Sequence, residues 1–272
     1  MTSVVRTCEA FSEELNSHPA ALTLETALLK TETSLYDDMS KGRVDSSKWK
    51  IMSFPMGNGE NWVWEEPRAK ISSRNGGLAL TVDPFTRKHD KIHMFDDPKQ
   101  LYASIRTFPV SRDQVTVFEA EMGAETYRSN SEDLQDAFAG FILMDFETGM
   151  IFDFITTGRK IGAIYERLLI PGVTDEKTAF TYLIEAPFSG IRTKPEMMHQ
   201  YMVRIDAQRM RAEWIVDGKP FFKAENIPVA PKNITVGWGL FTLKPVDPEK
   251  GSVSVHGQGA TGIWKNFRYS IP

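Results

Sequence analysis

The sequence predicts an all-β protein: a two-sheet antiparallel jelly-roll sandwich carrying a short helical N-terminal arm. Three observations point there. Apolar residues alternate with polar or small ones at period two in segment after segment from residue 45 onward. Asn, Asp and Gly punctuate these segments as turn formers do. Between them there is no room for the helical crossovers that parallel strands require, so the strands pair antiparallel and stack as two sheets.

Taken in order, residues 1–35 differ from the rest. Phe11, Leu15, Leu22, Leu28 and Leu29 are spread through a stretch rich in Ala, Glu and Leu, which predicts one or two short helices broken near His18-Pro19. Such an arm packs on the sandwich or on a second copy, so a homodimer through the arm is an expectation; a mobile tail is the plainer alternative. Residues 36–272 form the sandwich domain.

Within it, NGGLALTV (75–82) sets an Asn-Gly-Gly turn before Leu78, Leu80 and Val82, and VTVFEAEM (115–122) alternates Phe118, Ala120 and Met122 against Val117, Glu119 and Glu121. AFAGFILMDFETGMIFDFIT (137–156) reads as two strands joined near Glu147-Thr148-Gly149. IGAIYERLL, QYMVRIDA, MRAEWIVDG, NITVGWGLF and GIWKNFRYSI complete the series, with hairpin tips at 206–208 and 216–218. The polar stretches 83–100 and 123–135 read as loops at the sandwich ends or along a groove rim.

Composition bounds the function. A chain of 272 residues, 41% hydrophobic and 25% charged, has ample core for a globular domain. A net charge of −4 provides no attraction for nucleic acid or an anionic membrane, and no apolar run is long enough to span a bilayer. The N-terminus lacks the charged-then-apolar pattern of a secretory signal. Cys8 is the single cysteine and has no internal disulfide partner. The expected location is therefore the cytoplasm. Cys8 has no cationic neighbours that would make it a nucleophile.

Six phrases occur in a telling order: DDMSKGRVDSSKWKI (37–51), NGGLALTV, LYASIRTF (101–108), VTVFEAEM, EWIVDGKPFF (213–222) and GIWKNFRYS (262–270). Together they resemble the concanavalin A-like lectin/glucanase sandwich, and within it the laminarinase-type glycoside hydrolases. The resemblance implies that fold, with Trp49, Trp214 and Trp264 as framework tryptophans. It also implies a catalytic strand of the form Glu-x-Asp-x-(x)-Glu. Here that strand reads MIFDFIT (150–156): Asp153 matches the central aspartate, while Ile151 and Thr156 stand where glutamates would be. Glycoside hydrolysis of that type needs two carboxyls on the site and is not expected. A looser likeness, carried by PFTRKHDKIHMF (84–95), DFETGMIFDF and YERL, is to uncharacterised sandwich proteins of natural-product gene clusters; by analogy with jelly-roll carbohydrate-binding domains converted into cyclases, it suggests secondary-metabolite chemistry.

Several residues are candidates for chemistry. Asp153 lies in an apolar strand and needs a partner there. Tyr165 and Arg167 alternate onto one face of the next strand, with Glu166 on the other; if sheet order follows chain order, Tyr165 and Arg167 neighbour Asp153 as substrate-orienting and proton-donating groups. A structural salt bridge is the plainer reading. His93 and His89, with Asp90 and Lys91 between them, suit general acid/base work near neutral pH or else a solvated charged edge. Asp145 either shares a face with Asp153 or caps the turn, depending on hairpin register. Glu119, Trp64 and Trp238 are candidate substrate contacts, the tryptophans as stacking platforms or as core. No metal-ligand spacing, nucleotide loop or redox motif is present, so no cofactor is implied; calcium has no Asp-rich loop to hold it. The expected activity is a cofactor-independent reaction of an apolar small molecule (cyclase, isomerase or lyase type) by general acid/base groups in the groove. The alternative is a non-catalytic ligand- or carbohydrate-binding module.

Overall fold

The computed structural model describes residues 6–9, 32–55, 61–86, 98–243, 246–247, 251–252 and 257–270. Two large sheets, of nine and eight strands, stack face to face. One places Phe180–Glu185, Ile161–Arg167, Met150–Thr156, Phe138–Met144, Asn233–Phe241, Pro98–Ser104 and Trp49–Ile51 side by side in that order. The other runs Lys219–Ala224, Arg211–Val216, His199–Asp206, Thr116–Tyr127, Gly259–Ser270, Gly77–Val82 and Lys70–Arg74, with Thr33–Asp37 also on Gly259–Ser270. These pairings are antiparallel, as the missing crossovers require.

The N-terminal reading needs correction. Arg6–Glu9 is a strand that pairs in parallel with Phe180–Glu185 at the edge of the nine-stranded sheet, and Thr33–Asp37 is a strand of the other sheet. Backbone groups left open at a sheet edge recruit any extended segment within reach, whatever its helical propensity. The proposed helical stretch at 10–31 lies outside the described residues. Residues 123–127, expected in a loop, instead extend the strand Thr116–Tyr127.

The main core fills the space between the sheets and follows the period-two pattern. Leu78, Leu80 and Val82 meet Phe118, Ala120 and Met122 there, along with Phe152, Phe154, Trp214, Trp238 and Trp264. Trp214 and Trp264 each cross the sandwich to a backbone carbonyl of the opposite sheet, Asp153 and Gly140, at 3.1 Å in both cases. Trp49 donates to Asp37 at 2.7 Å. All three framework tryptophans are thus buried with their N–H groups bonded.

The outer face of the nine-stranded sheet is apolar too. Phe138, Ile142, Met144, Ile151, Ile155 and Leu183 form a second buried cluster with Trp64, Leu101, Leu168 and Phe241. Strands buried on both faces read as continuous hydrophobic runs, which is why FAGFILM and MIFDFIT show little alternation.

Candidate functional site

Asp153 lies on that outer face, between Ile151 and Ile155. Its strand pairs with Ile161–Arg167 so that Asp153 stands opposite Ile164 and Ile151 opposite Glu166. Directly opposed residues share a face. Glu166 is therefore the diagonal neighbour of Asp153 on one apolar surface. Both carboxyls are buried, at 6% exposure each, while Ile164 and Thr181 beside them are half-buried.

Each carboxyl has a neutral donor. Asp153 Oδ1 accepts the Leu143 N–H at 2.9 Å, and Glu166 Oε1 accepts the Thr181 hydroxyl. The Leu143 contact marks a local break in the sheet. Pairing between Phe138–Met144 and Met150–Thr156 runs to Phe141↔Phe154 and resumes at Met144↔Ile151. In the gap the Asp153 side chain takes the Leu143 amide, while the Asp153 carbonyl accepts the Trp214 indole across the core.

Burial shifts both acids upward. Desolvation holds the Asp153 carboxyl well above the usual carboxylate range, and the nearby charge of Glu166 adds to it, against the Leu143 hydrogen bond. Desolvation pushes Glu166 up to about 7, opposed by the Thr181 hydroxyl. No cation contributes to either shift. The arrangement is two carboxyls on one apolar face, both shifted toward the protonated form by burial, and a protonated carboxyl can donate a hydrogen bond or a proton.

Tyr165 and Arg167 are not part of it. Opposed residues across an antiparallel pair point the same way, so Tyr165 follows Phe152 into the main core, where it packs edge-on against Trp214 at 5.8 Å. Burial raises its phenol to about 12. Arg167 donates from Nε to the Thr148 carbonyl at 3.1 Å. Chain order placed the right strand beside Asp153, but the face was inverted: Glu166 is the neighbour.

Asp145 caps the hairpin turn rather than pairing with Asp153. Its Oδ1 accepts Glu147 N–H at 2.9 Å, and its Oδ2 accepts the Thr148 hydroxyl at 2.8 Å and Lys232 N–H at 2.7 Å. Glu119 belongs to the other sheet, where it accepts from Thr33 at 2.6 Å and Gln200 at 3.1 Å. Trp238 is sealed between the sheets and stacks on Tyr102 at 4.4 Å. Trp64 shares the outer apolar cluster with Ile151 but is only 1% exposed, so neither tryptophan is an open stacking platform. His89 and His93 lie outside the described residues. Among those described, no group of three or more His, Cys, Asp or Glu side chains converges as a metal site would.

A second ionisable pair escaped the sequence reading. His199 is buried and its Nδ1 lies 2.6 Å from Asp217 Oδ2, while Asp217 Oδ1 accepts Gln200 N–H at 2.9 Å. Asp217 holds this position from the hairpin tip with φ of 51°. The signal available in the sequence was the Asp-Gly tip itself.

No curated protein matches the chain significantly. Among solved structures, it is similar to a β-glucanase of Bacillus licheniformis, with 15% identity, a TM-score of 0.52, and coverage of 89% of this chain and 100% of that one. It is also similar to LamAcat from Zobellia galactanivorans (11% identity, TM-score 0.53, 89% and 98% covered). A third is the catalytic domain of an endo-1,3-β-glucanase (laminarinase) from Thermotoga petrophila RKU-1 (13%, 0.52, 88% and 98%). At such identities the likeness concerns the fold, which is the concanavalin A-like glucanase sandwich. A family model matches residues 36–272, and the chain belongs to that family, described as "Family of unknown function (DUF6081)".

Proposed function

We propose that Asp153 and Glu166 act together as a proton-transfer pair in a cofactor-independent reaction of an apolar small molecule, a cyclisation, isomerisation or elimination of secondary metabolism. The observation that carries this reading is their shared placement: two carboxyls, diagonal on adjacent strands of one apolar face, each held by a neutral donor. A carboxyl kept protonated near pH 7 serves as a general acid, and its conjugate base then accepts a proton back. The alternative is a non-catalytic ligand- or carbohydrate-binding module, for which neither Trp64 nor Trp238 offers an open stacking face, since both are buried.

The test uses the purified full chain with metabolite extract from a strain lacking the gene. Wild-type protein is expected to convert one apolar metabolite into an isomer or an elimination product, and Asp153→Asn and Glu166→Gln to slow that conversion at least about 100-fold. Conversion at the wild-type rate by both variants would remove the pair from the mechanism.

A further inference from the structure

His199 and Tyr201 carry buried polar atoms that have no hydrogen-bond partner among the described residues, His199 Nε2 and Tyr201 Oη. The two residues stand two apart on the strand His199–Asp206 and so share a face. Across the sheet they oppose Met122 and Ala120, which lie in the main core, so both rings turn between the sheets. They meet edge-on with centroids 6.3 Å apart. His199 is 3% exposed and Tyr201 is fully buried. Buried polar atoms are almost always paired, with the protein or with a bound molecule.

The chemistry of each atom is fixed by its surroundings. Asp217 Oδ2 lies 2.6 Å from His199 Nδ1, and a carboxylate accepts. The neutral ring therefore carries its hydrogen on Nδ1 and presents Nε2 as an acceptor. Tyr201 is a donor: burial holds its phenol in the protonated form, opposed by the nearby Thr156 hydroxyl and reinforced by the charge of Asp217. Thr156 Oγ1 is already engaged, accepting Gly158 N–H at 3.1 Å and donating to the Lys160 carbonyl at 3.0 Å. Met122 opposite His199 and Phe154, whose ring lies 5.0 Å from that of Tyr201, are apolar.

We propose that His199 and Tyr201 form a binding site for one hydroxyl group, which accepts from the Tyr201 phenol and donates to His199 Nε2. The ligand class follows from the pair of partners. A carbonyl has no hydrogen for Nε2, and an ammonium has no lone pair for the phenol; a hydroxyl serves both. The guest is water or the hydroxyl of a short alcohol whose carbons lie against Met122 and Phe154. Asp217, exposed at its hairpin tip, orients the imidazole from outside, so a chain of hydrogen bonds runs from the surface through His199 and the guest to Tyr201. The site lies between the sheets, whereas Asp153 and Glu166 lie on the outer face, and it does not depend on the role proposed for them.

The experiment uses the full chain with nitrogen-15-labelled histidine at pH 8, the His199 signals being identified from His199→Leu. Long-range proton–nitrogen spectra are expected to show the Nδ1–H form with Nε2 as a hydrogen-bonded acceptor. Oxygen-17 relaxation dispersion counts long-lived waters, and Tyr201→Phe is expected to hold one fewer than wild type if the guest is water. If the guest is a short alcohol, ethanol instead moves the His199 Nε2 signal of wild type saturably and leaves that of Tyr201→Phe in place. Either result supports the site and says which source fills it. Stability gives an independent sign. A phenol bonded to a guest loses that bond in Tyr201→Phe, which should melt about 3 °C lower, whereas a phenol with no guest is an unpaired group whose removal raises the melting temperature. Should Tyr201→Phe fail to fold, His199→Leu replaces it in the water count. An Nε2–H form, a Tyr201→Phe protein that melts higher than wild type, or an unchanged water count together with no response to ethanol overturns the proposal.

Discussion

Trp214, on the eight-stranded sheet, donates its indole N–H to the backbone carbonyl of Asp153 on the nine-stranded sheet at 3.1 Å. A tryptophan of the fold's framework is thereby bonded to the acid proposed to do chemistry on the opposite surface. The carbonyl is drawn toward the core, and the carboxyl takes over the Leu143 amide. One residue satisfies donors on both sides of its sheet.

Trp214→Phe is expected to cost about 3 kcal/mol in stability, from a lost buried contact area and an unpaired carbonyl. Urea denaturation measures it. A cost under about 1 kcal/mol would mean the indole bond is not what holds the Asp153 carbonyl.

Asp153→Asn and Asp153→Ala separate structure from chemistry. Asn keeps an oxygen for the Leu143 amide and should fold with near wild-type stability while losing activity. Ala leaves that buried N–H unpaired and should cost about 1–3 kcal/mol. Equal stability of the two variants by thermal melting would show that the Leu143 bond contributes nothing.

Glu166 should make the protein less stable as pH rises. Its folded-state value of about 7 lies above its ordinary 4.5, so the folded state holds the proton through a window where the unfolded chain has lost it. Stability from this group is present in full below pH 4.5, falls as pH climbs toward 7, and continues to be lost until the folded carboxyl ionises. The loss is on the order of 3 kcal/mol. Glu166→Gln should flatten that part of the profile and be more stable than wild type at pH 8. Denaturation of both proteins at pH 5 and 8 checks the sign.

Tyr165→Phe is expected to leave conversion within about twofold of wild type, because the ring packs in the main core against Trp214 and not beside Asp153. A hundredfold loss would restore Tyr165 to the mechanism.

Asp217→Gly keeps a residue that tolerates φ of 51° and removes the carboxylate that binds His199 and Gln200. A cost of about 1 kcal/mol is expected from the two lost bonds, one of them to the buried His199, with metabolite conversion unchanged. A matching loss of conversion at equal fold stability would tie this end of the sandwich to the site.

Much of the architecture was legible before any coordinate. Leu78-Leu80-Val82 and Phe118-Ala120-Met122 announce their buried faces by period two, and the short spacers between strands leave only antiparallel pairing. Asp153 was legible as well, since an acid inside MIFDFIT has to be accounted for. Its partner was not. Choosing Tyr165 over Glu166 required knowing which of two alternating faces turns outward, and in a strand buried on both sides hydrophobicity does not distinguish them.

The strands of the sandwich and the antiparallel pairing of its neighbours follow from the sequence by itself, because each is a local property of residue type and spacing. The Asp153–Glu166 pair, the burial of Trp64 and Trp238, and the strand made by Arg6–Glu9 were decided only by tertiary structure. Register between strands fixes who faces whom, and it is set by long-range packing that no single segment encodes.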